Sequence, residues 1–231
     1  MRAVYPIAGV VALIAGAALL GRTGAVAPGA DSGEAVRISE RVYRFGNVVV
    51  DRQARTVTCP GRVNMREGPI EYLAVTPEGK IHESVLTLDV VPHHLQVGLI
   101  FLELEPKGGV RFQGDPSLPR GPLVRIDVAW EHGGKRSVLP AEQLVWDRPK
   151  RRPMPPNAWI FSGSLVRDGV FLADEEKSLI AVFRDAAAII NNRLPEGADD
   201  TVYDANSRVL PPVGTPVELV VRAPAASRDR K

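Results

Sequence analysis

Apolar and polar residues alternate with a period of two along most of the chain after residue 41, a pattern typical of half-buried β-strands. Residues 47–51 (NVVVD) and 54–59 (ARTVTC) carry this pattern on either side of a short polar turn. Residues 123–130 (LVRIDVAW) and 135–139 (KRSVL) carry it on either side of a Gly-Gly turn. Each pair of segments therefore predicts an antiparallel hairpin.

The second half of the chain continues the β pattern. Residues 158–174 contain the dipeptide Asp168-Gly169, which favours a tight two-residue turn and so predicts another hairpin. Residues 178–183 (SLIAVF) and 215–223 (TPVELVVRA) are predicted as strands, whereas residues 184–192 (RDAAAIINN) could form a short helix.

A further hairpin is predicted around the turn Pro77–Lys80. The flanking segments, residues 70–76 (IEYLAVT) and 81–90 (IHESVLTLDV), are both apolar and rich in β-branched residues. Proline starts the turn and glycine supplies a positive φ, which together favour a reversal of the chain. In such a hairpin Glu71 and His82 lie on paired strands and could face each other.

One segment favours a long helix. Pro92 fits the first position of a helix, and the apolar residues after it recur with helical spacing on most sides, which predicts a largely buried helix that stops before Pro106. Strands dominate elsewhere. The sequence therefore predicts an α+β domain, with antiparallel β-hairpins forming a β-rich core and one main buried helix at about residues 92–105.

The N-terminal residues resemble an export signal. Arg2 precedes an apolar run, residues 7–20, whose length suits a signal peptide and is short for a membrane span. Two alternatives stay open, a cleaved signal peptide and an uncleaved membrane anchor. We expect residues 1–27 to be one of these, 28–40 a flexible spacer, 41–223 a single domain and 224–231 a disordered tail. Both alternatives predict a periplasmic or extracellular domain.

Charge and cysteine content exclude several classes of function. The 29 basic residues include Arg2 and Arg22 of the leader, and without them 27 basic residues face 27 acidic ones, so charge gives no reason to expect nucleic-acid binding. Cys59 is the only cysteine, which excludes an intrachain disulfide, a cysteine-rich zinc site and a self-contained iron–sulfur cluster. We expect Cys59 to be buried and unreactive, and we expect no cofactor.

Three of the four histidines, His82, His93 and His94, lie within thirteen residues of one another. If residues 81–90 form a straight strand, His82 lies about 25 Å from the other two, whereas the ligands of one zinc ion must lie within about 4 Å of each other. His93 and His94 are neighbours on a helix and point about 100° apart. The sequence therefore predicts no metal site.

Other candidate groups are less specific. Ser162-Gly163-Ser164 lacks the flanking glycines of a serine nucleophile elbow, but its glycine could mark a bulge or a small anion-binding nest, which makes Ser162 and Ser164 candidate binding residues. The acidic run Asp174–Glu176 has two interpretations, a solvated loop and a loose calcium site.

Several segments together resemble the YdjY-like family of uncharacterised bacterial exported domains. They are REGPIEYLAVTPEGKIHESVL, VAWEHGGKRSVLPAEQLVWD, WIFSGS and VLPPVGTPVELVV, and the similarity covers about Gly61 to Arg222. The resemblance implies domain limits and export rather than an activity. It also implies that the residues to test first are Glu71, His82, Glu83 and Ser84. A ferredoxin-like label carried by some relatives does not fit this chain, which lacks the cysteines for a cluster.

Three functions are compatible with these observations. The first is a non-catalytic exported domain that binds an unknown ligand or protein at the cell envelope, through a surface centred on Glu71 and His82 to Ser84. The second is a metal-dependent or His/Glu-based hydrolase that uses His82 with Glu71 or Glu83. The third is a structural component of a cell-surface assembly. Contact with a membrane is expected only through an uncleaved N-terminal anchor.

Overall fold

The computed structural model describes residues 35–224. The predicted signal or anchor (1–27), most of the predicted spacer and the end of the tail lie outside the described residues. Within residues 35–224 two α-helices occur, α1 (Pro92–Phe101) and α2 (Leu172–Glu176), with short 3₁₀-helices at Ile81–Glu83, Ala141–Leu144 and Pro195–Ala198. The strands are β1 (Val36–Arg37), β2 (Val42–Phe45), β3 (Val48–Asp51), β4 (Thr56–Val63), β5 (Tyr72–Val75), β6 (Ser84–Leu88), β7 (Leu123–His132), β8 (Lys135–Pro140), β9 (Val145–Asp147), β10 (Arg152–Pro153), β11 (Trp159–Phe161), β12 (Val166–Arg167), β13 (Val170–Phe171), β14 (Ser178–Ala181), β15 (Ile190–Asn192), β16 (Tyr203–Ala205) and β17 (Pro216–Arg222).

Eight of the strands close into a barrel in the order β4-β17-β7-β11-β15-β14-β5-β6, and β6 pairs back to β4. The sheet also extends outwards from the barrel wall, through β3, β2 and β1 on one side and through β8 on the other. Strands β10-β9-β16 and β12-β13 form two smaller sheets. The predicted β-rich α+β class is confirmed at this level, whereas closure into a barrel was not predicted.

Inward-facing apolar side chains fill the barrel, as the alternating pattern of the long strands requires. Along β17, for example, Val217, Leu219 and Val221 are buried and the residues between them face outwards. Cys59 is fully buried in this core, and burial raises the pKa of its thiol to about 12. The expectation that Cys59 is a buried core residue is therefore confirmed, and the raised pKa agrees with an unreactive thiol.

Helix α1 covers the outer strands of the sheet. Leu95 and Leu99 are fully buried, and the absence of a side chain at Gly98 lets the helix approach Val50 of β3. The helix ends at Phe101, four residues before the predicted end, and Glu103 just beyond it has a left-handed φ of 64°. The prediction of a buried helix holds for this face only, because Val97 and Ile100 are 40% and 48% exposed.

Three of the local hairpin predictions are confirmed. Strands β3 and β4 pair antiparallel, as do β7 and β8 across Gly133-Gly134, whose φ values of 59° and 73° are those of a tight turn. Asp168-Gly169 likewise joins β12 to β13. Each of these turns is encoded by residues next to each other in the chain.

The predicted hairpin around Pro77–Lys80 is wrong, because β5 and β6 pair in parallel, with Tyr72 opposite Ser84. Residues 76–83 cross back along β5 and end in the 3₁₀-helix Ile81–Glu83, so His82 is not in a strand. Asn64 fixes this connection by donating to the carbonyls of Ile81 and Ser84 at 2.6 and 2.7 Å. Both strands are buried at every position, and this near-continuous apolar character is typical of parallel pairs.

Residues 184–192 contain a strand rather than the predicted helix. Strand β15 lies between β11 and β14 in the barrel wall, where its backbone groups are needed for the ladder. The Asn192 side chain donates to the carbonyl of Val182 at 3.0 Å, and Asn191 accepts the backbone N–H of Asp185 at 2.8 Å. Tertiary pairing therefore overrides the helix propensity of the three alanines.

Across the part of the chain that is described, no helix is long and apolar enough to cross a bilayer.

Candidate functional site

The residues selected by sequence do not form one site. Glu71 and Glu83 are neighbours, because the backbone N–H of Glu71 donates to the carbonyl of Glu83 at 3.0 Å. His82 lies at the surface with 76% of its side chain exposed, and its Nε2 is 3.6 Å from the Glu83 carboxylate. Ser84 is fully buried, and its hydroxyl donates to the carbonyl of Lys80 at 2.6 Å. Ser84 therefore holds the chain crossing and presents nothing to a ligand.

The histidines do not converge on a metal ion. His93 bonds to Asp174, and its ring meets that of His94 edge to face at 4.4 Å. Among residues 35–224 no group of three His, Cys, Asp or Glu side chains is arranged to hold a metal. Asp174–Glu176, the other candidate metal ligands, form most of the short helix α2.

Ser162 and Ser164 bind the protein itself. Ser162 is buried, and its hydroxyl accepts a hydrogen bond from the Asn191 side chain at 3.1 Å. The Ser164 hydroxyl accepts the backbone N–H of Ala173 at 3.0 Å and so fixes the start of α2. Gly163 between them has a positive φ of 74°, as expected for a bulge.

A polar network that we call the Lys80 cluster lies beside Glu71. Buried Tyr72 donates its hydroxyl proton to Asp185 at 2.8 Å and accepts a hydrogen bond from the Lys80 ammonium at 3.0 Å. The ammonium also lies 3.3 Å from the Gln113 side-chain oxygen and 3.9 Å from the Glu176 carboxylate. Burial, followed by the charge of Asp185, raises the pKa of Tyr72, so this hydroxyl stays protonated.

Carboxylates outnumber cations around the Lys80 cluster. Glu71 accepts a hydrogen bond from Gln113, but loss of solvation and the nearby charge of Glu83 raise its pKa above the usual range. Loss of solvation and the charge of Asp185 likewise raise the pKa of Glu176. Ionising either carboxylate in the folded protein therefore costs stability.

The substitution Glu71→Gln is expected to raise the free energy of unfolding at about pH 7.5 by on the order of 0.5 kcal/mol. A carboxyl whose pKa is higher in the folded state destabilises that state once it ionises, so the gain should appear as pH rises through the folded pKa and vanish below about pH 4. Urea unfolding at about pH 7.5 and below about pH 4 measures the gain in the free energy of unfolding. Glu105→Gln, which removes a charge from an exposed position, is the matched control. A gain that persists at low pH would contradict this explanation.

Sequence reasoning missed the bond between His93 and Asp174. One carboxylate oxygen accepts the backbone N–H of His93 at 2.9 Å, and the other lies 2.8 Å from its Nδ1. The pair joins α1 to α2 through two residues that are 81 positions apart in the chain. By bonding to Nδ1, the carboxylate fixes the orientation of the imidazole ring. The other ring nitrogen, Nε2, takes no part in this bond. No sequence signal links the two positions.

A concave surface lies away from the Lys80 cluster, on the outside of the barrel wall formed by β4, β17 and β7. We call it the outer groove. It has a volume of about 400 Å³, within the range of small-molecule and peptide sites. It opens where β4 changes its neighbour from β3 to β6, at Pro60, which has no N–H to donate. The groove is lined by Pro60, Gly61, Arg62, Asp89, Ala129, Trp130, Glu131, Arg136, Gly214, Pro216, Val217 and Glu218.

The floor of the outer groove is apolar and its rim is charged. Pro60, Ala129 and Trp130 supply apolar surface between the strands. On the rim, Arg62 lies 3.2 Å from Asp89, and Arg136 lies 3.2 Å from Glu218. All four rim side chains are at least 36% exposed, so a ligand can exchange with these ion pairs at little energetic cost.

A family model described as the YdjY domain matches residues 48–222. The chain belongs to the YdjY domain family. The YdjY match begins at β3 and ends at β17, so it includes the closed barrel, the Lys80 cluster and the outer groove. Strands β1 and β2 precede the matched residues. No curated protein and no solved structure matches the chain.

Proposed function

We propose that this YdjY-domain protein is an exported, non-catalytic module of the cell envelope that binds a ligand or partner protein in the outer groove. The observation that carries the proposal is the groove itself, a concavity of about 400 Å³ with an apolar floor and two exchangeable ion pairs on its rim. Ligand sites commonly combine apolar walls with a few charged groups that fix orientation. The proposed location is supported by the apolar run at residues 7–20.

The groove favours a ligand with an apolar body and an anionic end. Arg62 on β4 and Arg136 on β8 belong to strands on either side of β17 and β7, and each guanidinium can bind a carboxylate or sulfonate in two-point geometry. Strong steering by net charge is not expected, because Asp89, Glu131 and Glu218 line the same groove. Affinity would therefore depend on how well the apolar body fits the floor.

The binding proposal can be tested with 8-anilinonaphthalene-1-sulfonate, which has an aromatic body and one sulfonate. We expect saturable binding by fluorescence titration, and at least about tenfold weaker binding to Ala129→Leu, because the larger side chain fills the floor. Ala129 is buried on the groove side of β7, so the substitution adds volume there.

Thr58→Leu is the matched control, since Thr58 belongs to β4 on the same outer face but does not line the groove. Circular dichroism establishes that both variants fold. If the dye binds Ala129→Leu and the unsubstituted chain equally well, the groove is not the binding site.

A further inference from the structure

Three arginines lie on one face of the sheet extension that contains β1, β2 and β3. Arg37 lies opposite Tyr43 in the β1–β2 register. Arg41 lies opposite Arg52, because the backbone N–H of Arg52 donates to the carbonyl of Arg41 at 2.9 Å. Side chains directly opposite each other on antiparallel strands share a face. The Arg52 guanidinium lies 5.3 Å from the ring centre of Phe101, which places this face on the side of α1.

The pairing of Arg41 with Arg52 is unfavourable in the isolated molecule. Like charges directly opposite each other on neighbouring strands are destabilising. Arg52 is partly compensated by Glu103 at 3.3 Å, whereas within residues 35–224 the Arg41 side chain has no hydrogen bond or ion pair. Glu40, Arg41 and Arg52 line a concavity of about 370 Å³. An anion bound there would offset the repulsion between the two arginines.

Exposed aliphatic side chains flank these cations. On α1, Val97 and Ile100 are 40% and 48% exposed and lie one turn apart, and Ile100 precedes the Phe101 that Arg52 covers. Arginines interleaved with exposed aliphatic residues are the composition of surfaces that contact the headgroup region of a bilayer.

We infer that this arginine patch, made of Arg37, Arg41, Arg52, Val97 and Ile100, rests on the surface of a bilayer that contains anionic phospholipid. A lipid phosphate would lie between Arg41 and Arg52, where it relieves the repulsion of the two guanidinium groups and accepts hydrogen bonds from both. The aliphatic side chains would enter the headgroup boundary beside it.

Two features of the chain favour a bilayer over a soluble anion. A free phosphate would use the arginines but would leave the aliphatic side chains in water, whereas a bilayer surface uses both. In addition, only residues 21–34 separate the described body from the apolar run at residues 7–20, which we propose to be a signal or anchor. Export brings the patch to a membrane surface whichever of the two the leader is.

Vesicle sedimentation tests this inference. Because residues 33–231 form a compact unit of their own, they can be used without the apolar leader, which would bind vesicles by itself. We expect this unit to sediment with vesicles of equimolar phosphatidylglycerol and phosphatidylcholine at low ionic strength, and to be released as salt rises. The variant Arg41→Glu/Arg52→Glu should bind at least about tenfold more weakly.

The matched control is Arg125→Glu/Arg193→Glu, which reverses two exposed arginines elsewhere and should keep the binding. Three outcomes would overturn the inference. The unit could sediment equally well with vesicles of pure phosphatidylcholine, it could fail to sediment at all, or both double variants could lose the same amount of vesicle binding. Inorganic phosphate gives a further test of where the lipid phosphate lies. If phosphate raises the thermal unfolding midpoint of the unit at concentrations that leave vesicle binding unchanged, the placement between Arg41 and Arg52 is overturned. Dye binding in the outer groove is independent of each of these outcomes.

Discussion

Replacing Arg184 with methionine is expected to lower the free energy of unfolding by about 3–5 kcal/mol. Arg184 is 1% exposed, and its guanidinium donates to backbone carbonyls from two loops. On one side it bonds to Asp115 at 3.1 Å and Pro116 at 3.3 Å, and on the other to Asn192 at 3.0 Å and to Leu194. Burial lowers the pKa of the guanidinium without discharging it.

The large effect follows from what methionine leaves behind. It fills much of the volume of the arginine stem but donates no hydrogen bond, so several carbonyls would lose their partner inside the protein. The two loops would then separate from the barrel wall at β15. Urea unfolding followed by circular dichroism measures the change.

Two further substitutions at and near this position sharpen the test. Arg184→Lys keeps the positive charge but loses the planar guanidinium with its several donors. Its free energy of unfolding is therefore expected to lie between those of the unsubstituted protein and Arg184→Met. Arg193→Met removes an exposed arginine nearby in the chain and should change stability by no more than about 0.5 kcal/mol. A loss for Arg184→Met no larger than for Arg193→Met would contradict the role given to these hydrogen bonds.

Replacing Gly121 with alanine is expected to lower the free energy of unfolding by about 3 kcal/mol or more. Gly121 has a φ of 144°, a conformation that residues with a side chain rarely adopt. A Cβ atom there would lie 2.0 Å from the carbonyl oxygen of Phe161, so the backbone would have to move. The next residue, Pro122, accepts the backbone N–H of Phe161 at 3.0 Å, and this contact begins the pairing of β7 with β11.

Gly133→Ala separates the two causes of the Gly121 effect. Gly133 also has a positive φ, 59°, but a Cβ atom there would meet nothing within 4 Å. This substitution should cost only about 1 kcal/mol, the price of the left-handed conformation alone. The difference between the thermal unfolding midpoints of Gly121→Ala and Gly133→Ala measures the effect of the clash with the Phe161 carbonyl. Equal midpoints for both variants would show that β11 accommodates a side chain at residue 121.

Local signals in the sequence predicted those parts of the fold that depend on neighbouring residues. Gly133-Gly134 and Asp168-Gly169 fix their turns by their own φ preferences, so both hairpins were predictable. Pro77–Lys80 shows the limit of such signals. Its turn residues are suited to a hairpin, but pairing partners far along the chain decide the direction of β6, which bonds to β4 as well as to β5.

The candidate site was less predictable than the fold. The predicted hairpin made Glu71 face His82, whereas the structure places Glu71 beside Glu83 and leaves His82 at the surface. The outer groove combines Pro60, Ala129 and Pro216, which are far apart in sequence and become neighbours only through the strand order β4-β17-β7. Prolines within alternating strands were the one local signal, because proline in a sheet marks an interruption of the ladder.

The most direct test of the outer groove is a map of backbone amide shifts while 8-anilinonaphthalene-1-sulfonate is added to the ¹⁵N-labelled protein. We expect the shifted amides to cluster at residues 61–62, 129–131, 136 and 217–218, and the amides of the Lys80 cluster to stay unperturbed. Shifts that cluster away from the outer groove, or dye binding that leaves these amides unchanged, would contradict this expectation.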